Sequence, residues 1–271
     1  MAIALQGTVA CVTGGGRGIG KATAMALAKA GARVFIGDID VEAAQAVADS
    51  LPGATAVHLD VSDPDSFARF LQQADEAGPL GVLVNNAGIQ RTGEFSGQSL
   101  DTKHREMAIN VGGIINGMHF ALPGMLERNR GHIVNLSSMA GKMTVPGAAV
   151  YTASKFAVAT LSRTVRAEIA HTGVTITTIL PSAVETELAA GLDLRGVPKA
   201  TPEEIAVEIV ASCQHGKPEV TLPKWLFPVG TIEQALPEKL GNWVKRTVGA
   251  QKRISADTPQ SRKYQERLSR F

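Results

Sequence analysis

The sequence is poor in the features that mark several large protein classes. It holds two cysteines, Cys11 and Cys213, with no framework spacing around them. Because disulfide-stapled folds need several paired cysteines, we interpret these two as reduced core thiols of an intracellular, cytoplasmic protein. No apolar run reaches the length of a membrane-spanning helix, and Met1 leads almost directly into the first predicted strand. We therefore expect neither a membrane span nor a secretory signal.

A large excess of one charge sign is also missing, since 27 Lys and Arg are nearly balanced by 25 Asp and Glu, which gives a formal net charge of +2 over 271 residues. A balance this close to neutral argues against nucleic acid as the main partner. The six histidines are scattered, and neither HExxH nor CxxC occurs. We therefore predict no metal site.

Short apolar runs alternate with longer helical patterns along the chain. The predicted strands are 8–13, 33–37, 54–59, 82–85, 132–136, 174–180 and 219–222. The predicted helices are 19–30, 41–50, 64–77, 100–110, 111–128, 151–171 and 202–215. Continuous Val and Ile runs are typical of parallel strands covered on both faces, so this alternation predicts an α/β, doubly wound parallel sheet.

The stretch 131–158 carries the clearest chemical pattern. An apolar run ends in Ser137 and Ser138, and a helical pattern then places Tyr151 and Lys155 on one face. A neighbouring ammonium favours the phenolate by about 3 kcal/mol, roughly two pK units, whereas burial acts in the opposite direction. Tyr151 is therefore a candidate acid/base for a substrate oxygen near neutral pH. A surface lysine beside a core tyrosine is the alternative interpretation, because the YxxxK pattern is short.

A glycine-rich turn, TGGGRGIG at 13–20, follows the first predicted strand and opens a helix. Glycines let the backbone approach a pyrophosphate, and the helix N-terminus attracts its charge. Residues 15–21 also read GxxxxGK, nearly a P-loop. Ala22 stands where a P-loop needs Ser or Thr to hold Mg²⁺, so the dinucleotide interpretation is favoured.

Asp38 ends the second predicted strand, 18 residues after Gly20. A carboxylate there accepts hydrogen bonds from an adenosine ribose and repels a 2′-phosphate, which favours NAD over NADP. Arg17 weakly favours NADP instead, since its guanidinium can pair with a 2′-phosphate. The alternative role for Asp38 is to cap the helix that begins near Val41, which Asp40 fits better by position.

Two further strand ends fit a cofactor cleft. Asp60 and Val61 follow the third strand and can flank an adenine; the alternative is an ordinary strand-end acid, with Ser62 or Asp63 capping the next helix. The tetrapeptide NNAG at 85–88 closes the fourth strand, where small residues and amides suit a crevice that holds a cofactor. Taken alone it would be only a turn signal.

Over residues 7 to about 190 this ordered set of motifs resembles the short-chain dehydrogenase/reductase family. The resemblance implies a Rossmann-type seven-stranded sheet of order 3-2-1-4-5-6-7 with helices on both faces. Tyr151 would be the acid/base, Lys155 would lower its pKa and bind the ribose, Ser138 would orient the substrate oxygen, and Asn110 would hold a water linking Lys155 to solvent. Ser138 lies 13 residues before the tyrosine, as in the family, which leaves Ser137 as a structural hydroxyl.

The motifs and the resemblance together imply a set of cofactor contacts. They are Gly14, Arg17, Gly18, Ile19, Gly20, Asp38, Asp60, Val61, Asn86, Ala87, Gly88, Tyr151, Lys155, Pro181, Val184 and Thr186. The last three lie in a stretch that resembles the family's PGxxxT, whose backbone and threonine hold the nicotinamide carboxamide. Ser182 replaces the usual glycine there, which leaves the local turn open.

Apolar residues around the predicted site indicate a bulky secondary alcohol or ketone, and the resemblance implies a substrate of steroid, retinoid or fatty type. The substrate candidates are Ser138, Met139, Met143, Val145 and Leu188, with Leu192, Trp225 and Phe227 as further apolar candidates. Plain core packing is the alternative. Residues 221–228 stand where the family commonly has a Gly-rich tail. In this respect the sequence resembles family members that act on lipophilic alcohols. We expect a homodimer through helices 111–128 and 151–171, or a homotetramer.

Residues 239–271 hold nine Lys or Arg against two Asp or Glu. Such a tail can contact an anionic membrane weakly, although a solvated tail is the favoured interpretation. We expect residues 1–271 to form a single dinucleotide-binding oxidoreductase domain, in which 190–271 add substrate-side helices and the basic extension. The predicted function is NAD-dependent hydride transfer to or from an alcohol or ketone. The alternative is a non-catalytic NAD-binding scaffold or redox sensor, against which an intact tetrad argues.

Overall fold

The computed structural model describes residues 3–184, 198–235, 237, 263–264 and 266–267. Its main sheet is built from parallel strands, and their order across the sheet is β3-β2-β1-β4-β5-β6-β9. The strands are β1 (Val9–Thr13), β2 (Arg33–Asp38), β3 (Thr55–His58), β4 (Leu80–Asn85), β5 (Gly131–Leu136), β6 (Val174–Pro181) and β9 (Glu219–Leu222). The predicted seven-stranded order is confirmed, with β9 as the seventh strand.

Helices cover both faces of this sheet. They are α1 (Gly18–Lys29), α2 (Val41–Ala48), α3 (Pro64–Asp75), α4 (Leu100–Met107), α5 (Gly113–Glu127), α6 (Ala149–Glu168), α7 (Pro202–His215) and α8 (Phe227–Ala235). One apolar core lies between the sheet and helices α1, α2 and α7, and a second lies between the sheet and helices α3, α5 and α6. The doubly wound arrangement predicted from the alternating pattern is therefore confirmed.

The local sequence explains why these elements begin where they do. All five residues of β1 are buried, as expected of a central strand covered on both faces. Asp63 caps α3 and is followed by Pro64 at the first helical position. Thr201 and Glu204 form a capping box at the start of α7.

Three features differ from the sequence-based expectation. The two helices predicted over 100–128 are one continuous run, because a π-helical turn, Ala108–Gly112, joins α4 to α5. A two-stranded parallel pair, β7 (Ala183–Val184) and β8 (Lys199–Ala200), follows the main sheet strand β6. Helix α8 and the 3₁₀ turn Lys224–Leu226 before it were not predicted, because their short apolar pattern has no clear period.

The parallel direction of the strands positions the site. The carboxyl ends of β1, β2, β4 and β5 lie at one edge of the sheet, and each is followed by one of the motifs identified above. Within the described part of the chain, no helix combines the length and apolarity needed to cross a bilayer.

Candidate active site

The end of β5 and the start of α6 bring the predicted serine, tyrosine and lysine together. Ser138 follows β5 directly, and Tyr151 and Lys155 lie one turn apart on the buried face of α6. The Lys155 Nζ atom is 5.5 Å from the centre of the Tyr151 ring. The Ser138 side chain is close enough to the Tyr151 phenol to lower its pKa. We call Ser138, Tyr151, Lys155 and Asn110 the catalytic corner.

Ser138 is oriented by backbone groups on both sides. Its hydroxyl oxygen accepts the Ala140 N–H at 3.1 Å, and its Oγ lies 3.4 Å from the Pro181 carbonyl oxygen to which it donates. The neighbouring Ser137 is buried and donates to the Lys155 carbonyl at 2.8 Å. The two hydroxyls therefore have different surroundings: that of Ser137 is used within the fold, and that of Ser138 meets the tyrosine.

Burial controls the titration of Tyr151 in the protein alone. Desolvation raises the pKa of its phenol above the ordinary value, and the hydrogen bond with Ser138 offsets part of that rise. The YxxxK spacing predicted the opposite direction, a pKa lowered by Lys155. The difference arises because the phenol is 8% exposed, so the loss of water around a phenolate outweighs the nearby ammonium.

Lys155 is also perturbed by its surroundings. Its Nζ donates to the Leu136 carbonyl at 2.9 Å. Burial lowers the pKa of the ammonium to about 8, and the negative charge of Glu106 opposes that shift. The lysine therefore carries its charge at neutral pH but close to its titration range.

Asn110 lies at the centre of the π-helical turn. Its side-chain oxygen accepts the Ile89 N–H at 2.8 Å, and its side-chain nitrogen donates to the Ile89 carbonyl at 2.9 Å and to Ser154 Oγ at 3.0 Å. A Cβ atom on Gly88 would lie 3.1 Å from Asn110 Oδ1 and 3.6 Å from Lys155 Nζ. Asn110 thus ties the segment after β4 to α6, and π-turns often occur at functional positions.

The glycine-rich turn is anchored to the motif after β4. Thr13 Oγ1 accepts the N–H groups of Asn86 and Ala87, each at 3.0 Å. The Asn86 side chain in turn donates to the carbonyls of Thr13 and Gly14. Gly14 has a φ of +63°, and a Cβ there would lie 2.8 Å from Ala87 Cα. Only glycine fits this close approach.

The N-terminus of α1 can receive an anion. Its N-cap residue Arg17 makes no side-chain capping bond, and its first turn holds no acidic residue. A Cβ on Gly20 would collide with the Gly14 carbonyl, so the backbone of the turn is packed as tightly as a pyrophosphate cradle requires. Gly18 and Ile19 begin the helix at this position.

Asp38 and Arg17 have defined partners at the end of β2. The Asp38 carboxylate accepts the Gly16 N–H at 2.9 Å and the Asp40 N–H at 3.0 Å. Asp40 caps α2, as predicted, and pairs with Arg17 at 2.8 Å. Asp38 is therefore adjacent to the glycine-rich turn, and Arg17 is held by a carboxylate.

The remaining predicted cofactor residues lie at neighbouring strand ends. The Asp60 carboxylate accepts both the N–H and the hydroxyl of Ser62, and Val61 is buried. Pro181 ends β6 and Val184 ends β7. Three predicted residues fall outside the described part of the chain: Thr186, Leu188 and Leu192.

The apolar substrate candidates divide into three groups. Met139 and Met143 pack with Leu226 beside the end of β6, whereas Val145 packs in the same small cluster as Tyr151. Trp225 and Phe227 are 61% and 47% exposed. Lys142 Nζ lies 4.4 Å from the centre of the Phe227 ring.

Two residues beside the catalytic corner were not identified from the sequence. Glu106 is fully buried on α4; its Oε1 accepts the Arg91 N–H at 3.1 Å, and its Oε2 has no hydrogen-bond partner among the described residues. Burial raises the pKa of this carboxyl to about 7, although the Arg91 N–H and nearby cations act against the rise. Tyr264 is 6% exposed, and its hydroxyl oxygen accepts the Gln90 N–H at 3.1 Å.

Different signals were available for these two residues. Glu106 precedes Asn110 by four positions on a helix, a spacing that could have indicated a shared face. Nothing local marks Tyr264, because its partner is 174 residues away. The described residues contain no group of three or more His, Cys, Asp or Glu side chains placed to hold a metal ion.

Comparisons with known proteins identify the family of this chain. A family model described as short chain dehydrogenase matches residues 8–195. Oxidoreductase UcpA of Escherichia coli is 36% identical over 211 residues, covering 76% of this chain and 80% of that protein. The 2,5-dichloro-2,5-cyclohexadiene-1,4-diol dehydrogenase LinX of Sphingobium indicum is 36% identical over 197 residues, covering 71% and 79%.

Another relative is longer than this chain. The probable oxidoreductase EphD of Mycobacterium tuberculosis is 31% identical over 259 residues, covering 86% of this chain but 44% of that protein. The chain thus spans less than half the length of this relative.

A solved structure shares the fold. A short chain dehydrogenase/reductase from Burkholderia phymatum in complex with NAD superposes with a TM-score of 0.80 at 23% identity, covering 94% of this chain and 99% of that one. Because the family model matches more than half of the sequence, and relatives above 30% identity cover more than two thirds of it, this chain belongs to the short chain dehydrogenase family.

Proposed function

We propose that the protein is an NAD-dependent oxidoreductase that interconverts a secondary alcohol and its ketone. The observation that carries this proposal is the placement of Ser138, Tyr151 and Lys155 together, with the Lys155 ammonium 5.5 Å from the centre of the phenol ring and the Ser138 side chain lowering the pKa of the phenol. A hydroxyl pair with one titratable member, backed by a cation, suits proton exchange with a substrate oxygen. When bound, NAD supplies the hydride acceptor for the carbinol carbon.

The residues of the catalytic corner have distinct tasks in this proposal. Ser138 donates to the substrate oxygen and orients it, and Tyr151 takes the hydroxyl proton as the alcohol becomes a ketone. In the reverse direction Tyr151 returns that proton. Lys155 stabilises the phenolate, and Asn110 connects Lys155 to solvent through a bound water. A positive charge on the nicotinamide side adds to the effect of Lys155 and opposes the rise that burial causes in the pKa of Tyr151.

The chain's residues fit a dinucleotide. Three neighbouring features at the edge of the sheet support this fit. They are the tight glycine contacts, the uncapped start of α1 and the Asp38 carboxylate. We propose NAD rather than NADP, because Asp38 repels a 2′-phosphate and Arg17 is engaged by Asp40. The ratio of NADH to NADPH dissociation constants tests this preference.

The substrate class and the assembly belong to the same proposal. Met139, Met143 and Val145 support a bulky, lipophilic alcohol or ketone, since methionines adapt to irregular apolar shapes. We further propose that residues 1–271 act as one domain, and that helices α5 and α6 pair two copies as a dimer or within a tetramer. Ile115 on α5 is 48% exposed, which supports this pairing. Two buried free thiols support a cytoplasmic location.

Replacement of Tyr151 by Phe tests the function. We expect turnover of a broad alcohol and ketone panel to fall by about 10²–10⁴-fold, because the proton acceptor is lost, while NADH binding stays within about twofold. Thr164→Ala on the exposed side of α6 is the matched control, since it also removes one hydroxyl. Retained turnover in Tyr151→Phe would reject the assigned acid/base. NADH binding by the wild type without any turnover would favour the scaffold alternative.

A further inference from the structure

Three consecutive backbone N–H groups after β4 are each bound by a different side chain. The Ile89 N–H donates to Asn110, the Gln90 N–H to Tyr264 and the Arg91 N–H to Glu106, over 2.8, 3.1 and 3.1 Å. Asn110 and Glu106 come from the run of helix α4 and the π-turn. Tyr264 comes from the C-terminal segment, 174 positions along the chain from Gln90. The C-terminal segment therefore reaches the backbone that follows the NNAG motif.

Tyr264 lies next to the catalytic corner. Ionisation of Tyr264 raises the pKa of Tyr151, and the carboxyl of Glu106 acts on both phenols. The Tyr264 side chain is 6% exposed, and the guanidinium carbon of Arg267 lies 5.5 Å from the centre of its ring. The chain contains two tyrosines, so both of its phenols are buried in the same region.

Among the described residues, the Tyr264 hydroxyl uses one of its hydrogen-bonding capacities. Its oxygen accepts the Gln90 N–H, and it makes no second hydrogen bond to the described residues. A phenol can donate as well as accept, and buried donors are nearly always paired. Burial raises the pKa of this phenol to about 12, so it keeps its proton over the whole working pH range. It is therefore a neutral donor, suited to an uncharged oxygen.

We propose that Tyr264 is a specificity-determining residue of this active site, whose O–H donates to a second oxygen of an otherwise apolar substrate. The inference rests on the proposed function, and it narrows the substrate class to a hydroxyketone or diol. One oxygen lies at Ser138 and Tyr151, where it exchanges a proton. The other oxygen meets Tyr264, whose phenol oxygen is held in place by the Gln90 N–H.

Binding of a matched ligand pair tests the proposal without depending on turnover. Calorimetry without cofactor, so that neither ketone is reduced during the titration, compares 4-hydroxycyclohexanone with cyclohexanone on the wild type and on Tyr264→Phe. We expect the wild type to bind the hydroxyketone roughly 3- to 10-fold more tightly than the ketone, the range expected of one hydrogen bond. Tyr264→Phe should bind the two ligands equally. Thr164→Ala is again the hydroxyl-deletion control and should keep the wild-type ratio.

Two further readouts separate recognition from folding. Thermal melting should show that Tyr264→Phe remains folded, because it keeps the ring, and amide hydrogen exchange should speed up at Gln90 but not at Ile89. An unchanged ligand ratio in Tyr264→Phe, or no measurable binding of the hydroxyketone to the wild type, would overturn the proposal. Absence of turnover in the wild type, together with a ligand ratio that Tyr264→Phe abolishes, would instead reject the proposed function and leave Tyr264 as a ligand-recognition residue only.

Discussion

Tyr151 is the residue whose ionisation depends most on what surrounds it. In the protein alone its phenol is buried and its pKa is raised, although Ser138 acts against the rise. Lys155, with a pKa lowered to about 8 by burial, contributes a full positive charge only below that pH. The pH range in which Tyr151 can exchange a proton is therefore set by the charges beside it rather than by the ordinary pKa of a phenol.

The scarcity of tyrosine makes this shift measurable. Tyr264→Phe leaves Tyr151 as the chain's only phenol, so phenolate absorbance then reports on it alone. In the protein alone we expect the absorbance to rise only above about pH 10, since burial disfavours the phenolate. Saturating NAD should move the midpoint to lower pH, because its oxidised nicotinamide ring places a positive charge near the phenol. A midpoint that NAD leaves unchanged would contradict this electrostatic account.

Glu106 provides a second pH-dependent prediction. Its pKa in the folded protein is about 7, raised by burial, so the folded state holds its proton where the unfolded state releases it. Stability should therefore fall as pH rises from about 4.5 to 7 and level off beyond. Glu106→Gln keeps an acceptor for the Arg91 N–H and removes the ionisation. We expect the variant to be more stable than the wild type at pH 8 by about 2–3 kcal/mol.

Urea unfolding at pH 5 and pH 8 measures this difference. The difference in unfolding free energy between the variant and the wild type should be small at pH 5 and reach its full size by pH 8. Asp65→Gln on α3 is a suitable control, since its carboxyl lies in an exposed first turn. Parallel pH dependence in Glu106→Gln and the wild type would show that the carboxyl stays ionised in the folded protein.

At the scale of elements, the outer strand β9 is fastened to the loop after β5. Glu219 on β9 pairs with Lys142 at 2.6 Å and with Arg163 of α6 at 2.9 Å, and the Lys142 side chain is 6% exposed. Burial alone would raise the pKa of Glu219, but hydrogen bonds from Lys142 and Arg163 outweigh it and lower that pKa. The resulting stabilisation is present above about pH 4.5 and is lost as pH falls further.

Glu219→Gln should reduce the free energy of unfolding by about 2–4 kcal/mol, because it removes the carboxylate that pairs with a buried ammonium. Arg163→Gln is the comparison: that side chain is 66% exposed, so its loss should have an effect below about 1 kcal/mol. Urea titration at pH 7 measures both. Equal effects of the two substitutions would mean that Lys142 finds another partner without loss.

The sequence predicts a structural feature well when residues close together in the chain determine it. The strands were predictable because central parallel strands are continuous apolar runs, and Tyr151 and Lys155 were predictable because one helix turn relates them. The π-turn at Asn110 leaves no mark in the hydrophobic period. Glu106, Tyr264 and the Lys142–Glu219 pair depend on contacts between distant segments, which a sequence read along its length does not contain.

At the scale of the whole molecule, the family match ends before the fold does. The matched region stops at residue 195, whereas helix α7 packs along α1 and strand β9 completes the sheet beside β6. We expect a fragment ending at residue 195 to be insoluble, because it leaves the buried Leu27 of α1 and the edge of β6 uncovered. A fragment ending at residue 237 should remain soluble and helical by circular dichroism. A soluble, cooperatively melting 1–195 fragment would contradict this view.

The first described residue is joined to the same region. The Ile3 N–H donates to the Cys213 carbonyl of α7 at 2.7 Å, and the Ile3 side chain is 2% exposed. A purification handle or fluorescent reporter fused directly upstream would disturb the contact between Ile3 and α7. Because α7 packs on α1, the packing of α1 would be disturbed as well. A fusion partner therefore needs a flexible spacer ahead of Ile3.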